Sequence, residues 1–320
     1  MSVQDLKTIH NGFCRNRVVP AILFGLLVAA LGMHVRADQM ASAEALKPLF
    51  APGVTRKLDA QLESMMKENN LPSVEVDVLV PGKGRYSFVR GTADIAAGIP
   101  RKRNEPFRIA SITKPFAATA ILVLVDQGRL CKTDTISKWY PDFPNADKIT
   151  IDDLLRMRSG IPAPNDDEVL ARVYDHPLAP APPFDEEMAS YEALRKKFVT
   201  PNTIGRYTDF NYDILAAIAQ KVTDKDIGAL ISELVIDPLH LSRTSYPTGT
   251  GLPGKLHGYG WNPATKSFDD KTLFNPPLAG AAGAVISNSE DLHTFSQALC
   301  TGKLLLPEAF NVQMQGEPLE

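Results

Sequence analysis

The chain has 320 residues, 44% of them hydrophobic and 22% charged, which is ordinary globular material with enough apolar side chains for a substantial core in one or two domains. Its formal net charge is −3, with no long single-sign run and no internal repeat, which argues against a nucleic-acid surface or a basic membrane patch.

In chain order the first feature is a leader. Lys7, Arg15 and Arg17 precede an apolar run from Val18 to Val35, and Val35-Arg36-Ala37 then offers a cleavage site after Ala37. This pattern assigns residues 1–37 to a signal peptide and 38–320 to the body. The run is close to the shortest membrane spans, so an uncleaved anchor is the rival reading, and only then is a membrane a partner. On either reading the body is exported, periplasmic or secreted. Cys14 falls in the leader, leaving Cys131 and Cys300, which an exported chain can pair. Two unpaired thiols are the simpler expectation, and the cysteine spacing suits neither zinc nor redox chemistry.

Residues 54–69 repeat Leu58, Leu62, Met65 and Met66 at helical spacing. Val74-Glu75-Val76-Asp77-Val78 alternates as a strand, Pro81-Gly82-Lys83-Gly84 reads as a turn, and Tyr86 to Val89 as the returning strand. Helix then hairpin predicts an α+β fold. The stretch after Arg108 is unusual: Ser111 and Lys114 open a helix whose Ala117–Val125 body is apolar but for Thr119, so that it must be buried on all sides, with Gly128 as its stop. Ile151 to Met157 is a short helix ended by Gly160. Residues 161–205, rich in Pro, Asp and Glu, read as an irregular surface excursion. Helices follow at 211–222 and 226–235, small strands around Gly258-Tyr259-Gly260-Trp261, a helix at 289–299 capped by Ser289, and a last short one from Pro307.

Ser-x-x-Lys occurs twice, at Ser64/Lys67 and Ser111/Lys114. Ser64 lies mid-way along an ordinary amphipathic helix and reads as a solvated surface residue. Ser111 lies at the start of a buried helix, where residues three apart share a face and Lys114 reaches its hydroxyl. A serine needs a base within hydrogen-bond distance, and a desolvated lysine is one. The unpaired N–H groups at a helix start favour the negative charge that develops on an attacked carbonyl oxygen. The four histidines at 176, 240, 257 and 293 show no ligand spacing, and Asn165-Asp166-Asp167-Glu168 lacks the spacing and glycine of a calcium loop.

Phe107-Arg108-Ile109-Ala110-Ser111-Ile112-Thr113-Lys114 resembles the first motif of the serine β-lactamases, DD-peptidases and related esterases. Ile151-Asp152-Asp153-Leu154-Leu155 through Arg158-Ser159-Gly160-Ile161-Pro162 resembles the family's histidine-x-serine-glycine segment. Ala279 to Ser287 followed by Asp291-Leu292 resembles a late structural segment, so that the likeness runs from about residue 52 to about 315. It implies a β-lactamase/transpeptidase-like fold, an antiparallel sheet flanked by helices plus an all-helical region. Within the family, secreted D-alanyl-D-alanine carboxypeptidases and class C-like enzymes are the most similar.

The family's second motif is Tyr-x-Asn. The matching stretch is Tyr207-Thr208-Asp209, which implies a proton-shuttling phenol at Tyr207. Asp209 departs from the pattern: an ionised carboxylate accepts hydrogen bonds where an amide also donates, and it favours the ammonium form of Lys114. The third motif, Lys-Thr-Gly or His-Thr-Gly, has no counterpart after Ser289. The expectation is therefore a chain that lacks the C-terminal sheet strands and has weak activity or none. The resemblance implies an acyl-enzyme hydrolase with Ser111, Lys114 and Tyr207 catalytic and Asp209 against the substrate, using no metal and no cofactor. Its substrates would be D-alanyl peptides, β-lactams or esters. The alternative is a non-catalytic relative that binds cell-wall peptide or a partner.

Overall fold

The computed structural model describes residues 47–163 and 175–314; the leader and the Asn165–Glu168 stretch lie outside them. The chain forms two compact units that divide between Glu105 and Pro106.

The first unit is helix α1 (Pro52–Glu68) and a three-stranded antiparallel sheet of β1 (Ser73–Val80), β2 (Gly84–Asp94) and β3 (Ile99–Pro100) in the order β1-β2-β3. The hairpin register runs from Ser73 opposite Gly91 to Val80 opposite Gly84. Gly84 makes the return with φ +134, and a β-carbon there would sit 2.5 Å from the Lys47 carbonyl oxygen. Tyr86 and Phe88, two apart on β2, are buried, and the Tyr86 hydroxyl donates to Asp59 of α1 at 2.8 Å. The alternation in β1 reads as a half-buried strand, and its two carboxylates are covered rather than left to solvent. Glu75 is bonded by Arg101 at 2.8 Å, with side chains only 5% and 6% exposed, and Asp77 is held by Arg85 and Arg103. Each buried carboxylate has its cation, without which burial would be prohibitive.

The second unit is mainly helical. Strand β4 (Phe107–Arg108) pairs antiparallel with β7 (Ile286–Ser287) and leads through a tight 3₁₀ turn (Ala110–Ile112) into α2 (Thr113–Asp126). Helix α3 (Ile151–Leu155) starts on a capping box in which Thr150 and Asp153 satisfy each other's backbone N–H. Helix α4 (Phe184–Glu192) lies where the sequence suggested only an irregular excursion. Its signal was Phe184, Met188 and Tyr191 at helical spacing behind Pro183, with three acidic residues in the first turn.

Helix α5 (Phe210–Thr223) precedes α6 (Ile227–Ile231), which widens to a π-turn (Ser232–Ile236) before α7 (Asp237–Leu239). The hairpin β5 (Tyr259–Asn262) and β6 (Ser267–Asp270) and the short α8 (Gly280–Gly283) precede β7. Helices α9 (Ser289–Thr301) and α10 (Pro307–Met314) follow. The cap of α9 is Asn288, one residue before the expected Ser289: its side chain accepts from the Asp291 N–H, and Gly302 ends the helix at φ +67. Cys300 is a free, exposed thiol and does not pair with Cys131.

The core is built around α2. Phe116, Ala120 and Ile121 are fully buried among Phe210, Ile214, Leu215, Ile218 and Leu230, and Phe116 stacks on Phe295 with ring centroids 3.7 Å apart. Burying side chains of this size is worth about 1.5–3 kcal/mol each, which explains why a helix without a polar face is stable here. No helix among the described residues is long and apolar enough to cross a membrane.

Candidate functional site

Strand β4 ends one residue before a sharp corner. Ala110 has φ +45, a left-handed conformation that an L-residue with a β-carbon adopts only at a cost. The corner turns the chain from β4 into the 3₁₀ turn and leaves Ser111 exposed at its crest, so that Ser111 precedes α2 rather than lying within it. Behind the corner, buried Thr113 accepts from the Val285 N–H at 3.0 Å, and Ile109 donates to the Val285 carbonyl at 3.1 Å. Gly283 packs beside the corner, and a β-carbon there would crowd the Ala279 side chain at 3.1 Å. The backbone N–H of Ser111 donates to no described residue and remains available to a developing oxyanion.

Lys114, one turn on, is buried. Its ammonium donates to Ser111 Oγ at 3.1 Å and to the Ala282 carbonyl at 3.0 Å, and lies 2.6 Å from Asp209 Oδ1. These three acceptors match the three N–H bonds of a protonated lysine. The ammonium also lies over the Tyr207 ring, 4.7 Å from its centroid. The Tyr207 hydroxyl donates to Ser111 Oγ at 2.8 Å, so Lys114 and Tyr207 converge on one oxygen from different elements.

Tyr207 and Asp209 lie just before α5, and the segment that resembles histidine-x-serine-glycine fastens them there. Met157 adopts φ +58 and its carbonyl accepts from the Arg206 N–H at 2.8 Å. Ser159 donates to the fully buried Asn211 Oδ1 at 2.7 Å, and Asn211 Nδ2 meets Met157 Sδ at 3.3 Å. Gly160 has φ +74, and a β-carbon on it would come 2.2 Å from the Val199 carbonyl oxygen, so only glycine fits.

All four residues singled out in the sequence therefore meet at one place. Sequence reasoning missed the Ala282 carbonyl, which as main chain carries no side-chain signal. It also missed Asp213, one turn beyond Asp209 on α5, against which a β-carbon on Gly280 would press at 2.9 Å. Burial first, and the negative charges of Glu187 and Asp209 next, push the Asp213 carboxyl well above the ordinary carboxylate range, against the opposing pull of Lys114. The Ser64/Lys67 pair forms no such site: Ser64 is exposed and donates to Glu68 at 2.6 Å.

Residues 58–317 match the Beta-lactamase family model. Esterase EstB of Burkholderia gladioli is 29% identical over 293 residues, covering 81% of this chain and 74% of that protein. Protein flp of Staphylococcus aureus is 29% identical over 196 residues; the match takes in 60% of this chain and spans only 38% of that longer protein. Among solved structures, a D-stereospecific amidohydrolase from Streptomyces sp. superposes with a TM-score of 0.62 at 29% identity, covering 72% of this chain and 68% of that one. A D-amino acid amidase from Ochrobactrum anthropi SV3 superposes at 0.67 over 80% of this chain and 73% of that one; at 23% identity it speaks for the fold alone. The chain belongs to the beta-lactamase family, within the superfamily of serine β-lactamases and penicillin-binding proteins.

Proposed function

We propose that this protein is an exported serine hydrolase that works through an acyl-enzyme formed on Ser111, with esters, D-alanyl peptides or β-lactams as acyl donors. The observation that carries the reading is the convergence of Lys114 and Tyr207 on Ser111 Oγ, at 3.1 and 2.8 Å. Export rests on the leader pattern of residues 1–37. The names of the relatives, an esterase and a D-stereospecific amidohydrolase, support ester and amide acyl donors.

In this mechanism Ser111 Oγ attacks the scissile carbonyl carbon, and its proton passes to Tyr207 or Lys114 in the form that lacks one. The carbonyl oxygen takes up the electron pair and is met by the Ser111 N–H. Collapse expels the leaving group, which collects the proton, and an ester between Ser111 and the acyl group remains. Water then attacks that ester, its proton following the same route back to Ser111 Oγ. Because Lys114 sits in the three-acceptor arrangement of an ammonium, Tyr207 is the natural first acceptor.

The test is labelling of the purified protein by a fluorescent penicillin and by a fluorophosphonate, with Ser111→Ala beside it. Labelling by either probe that disappears in the variant supports the reading. A folded protein labelled by neither overturns it in favour of a non-catalytic relative, for which the closed ion pair between Asp209 and Lys114 is the favouring observation.

A further inference from the structure

We propose that the preferred acyl donor carries an ammonium group on the carbon next to its scissile carbonyl, held by the outward oxygen of Asp209. The inference deepens the serine-hydrolase reading and rests on it.

Asp209 is half exposed, 54% by side chain, although it stands beside a buried lysine. Its Oδ1 is committed to Lys114. Its side chain makes no capping bond to α5, and Oδ2 bonds to no described residue. A charged acceptor is therefore left half exposed, two contacts from the nucleophile through Lys114. An amine nitrogen on the carbon next to a carbonyl lies only about 2.5 Å from the carbonyl carbon, from standard bond lengths and angle. An acyl group bound at Ser111 thus presents such an ammonium within reach of Asp209.

The surrounding charges favour the same class. Lys114 spends its three donors on protein acceptors, so it offers little to a substrate carboxylate. Arg108, three residues before Ser111, turns its guanidinium onto the Thr250 carbonyl at 2.8 Å and the Phe274 ring. The groups that act on Asp209 or its neighbour Asp213 are Lys114 from α2, Tyr191 and Glu187 from α4, and Tyr207 just ahead of α5, an environment with more anions than cations. A neutral amide or alkyl group placed at Oδ2 would strip water from a carboxylate without replacing the donor, whereas an ammonium replaces it with a charge-assisted bond.

The test compares three methyl esters: alanine methyl ester in both enantiomers, methyl isobutyrate, which matches it in size and puts a methyl where alanine has its ammonium, and N-acetylalanine methyl ester, which keeps the nitrogen without its charge. Ser111-dependent hydrolysis is followed by acid release. An ammonium also activates its own carbonyl, so the preference is read as the ratio of kcat/KM values in wild type divided by the same ratio in Asp209→Asn. That quotient is expected at about 10- to 100-fold, the usual worth of a hydrogen bond to a charged group. A second reading follows pH: the same quotient, wild type over Asp209→Asn, should fall toward one as pH rises through the substrate amine, about 7.7–8.0. Equal use of alanine and isobutyrate esters, or a preference that persists unchanged in Asp209→Asn and at high pH, overturns the proposal and leaves the hydrolase intact. Loss of all Ser111-dependent turnover and probe labelling overturns both.

Discussion

The two ends of α2 are built to opposite specifications. The far end, Ala117 to Leu124, is apolar but for Thr119, whose hydroxyl bonds the Pro115 carbonyl, and it gains its position by burying surface against α5, α6 and α9. The near end buries Thr113 and Lys114, both polar, and stands on a left-handed alanine. Nothing at the near end is cheap: a charge is desolvated, a backbone is strained, and every partner comes from elsewhere, Ala282 from α8, Val285 from the segment before β7, Tyr207 and Asp209 from the approach to α5. One helix thus carries stability at one end and spends it on positioned polar atoms at the other, as sites held by a rigid scaffold generally do.

Substitutions at the two ends should therefore separate rate from stability. The largest effect is expected from Tyr207→Phe, which deletes the hydroxyl 2.8 Å from Ser111 Oγ and nothing else. The rate constant should fall about 10²- to 10⁴-fold, the range for a positioned proton-transfer group, while the melting temperature stays put because the ring is half exposed. Ester hydrolysis and a thermal melt on the same sample decide it; a melt that collapses with the rate would make Tyr207 a packing residue.

Phe116→Ala should do the reverse. It removes a fully buried ring stacked on Phe295 and should cost about 3–5 kcal/mol of unfolding free energy by denaturant titration, with a far smaller loss of rate per folded molecule than in Tyr207→Phe. Ala110→Val tests the corner between the two ends. A β-branched residue at φ +45 should cost about 1–3 kcal/mol and also slow fluorophosphonate labelling, since Ser111 follows directly. Unchanged stability would mean that the left-handed corner is not a fixed feature of the fold.

How much of this was legible in the sequence follows the same division. The hairpin of the first unit was visible because alternation and a glycine turn are local signals, and α2 because an apolar run interrupted only by Thr119 has one physical meaning. Ser111 and Lys114 were visible through helical spacing, and Tyr207 and Asp209 through resemblance. The charged roof over Glu75 and Asp77 was hidden because Arg101 and Arg103 lie more than 20 residues on and arrive only through tertiary structure. The pairing of β4 with β7 was hidden because two residues on each side leave no period to detect. The acceptor at Ala282 and the left-handed Ala110 are properties of backbone, which side-chain patterns do not encode.

Asp213 is the smallest and most discriminating case. It stands one turn beyond Asp209, under Gly280, and its carboxyl is pushed up chiefly by burial and then by Glu187 and Asp209, while Lys114 pulls the other way. A group whose folded value is raised binds its proton more tightly in the native state than in the unfolded one. Its contribution to stability is complete below the unfolded value of about 3.9 and is lost as pH rises toward the folded value. Asp213→Asn keeps the shape and cannot ionise. The variant and the wild type should therefore melt together near pH 4, and the variant should melt higher at pH 7. The opposite ordering at pH 7 would show an ionised Asp213 stabilised by Lys114. The lysine would then be balancing two carboxylates, Asp209 at 2.6 Å and Asp213 one turn beyond it.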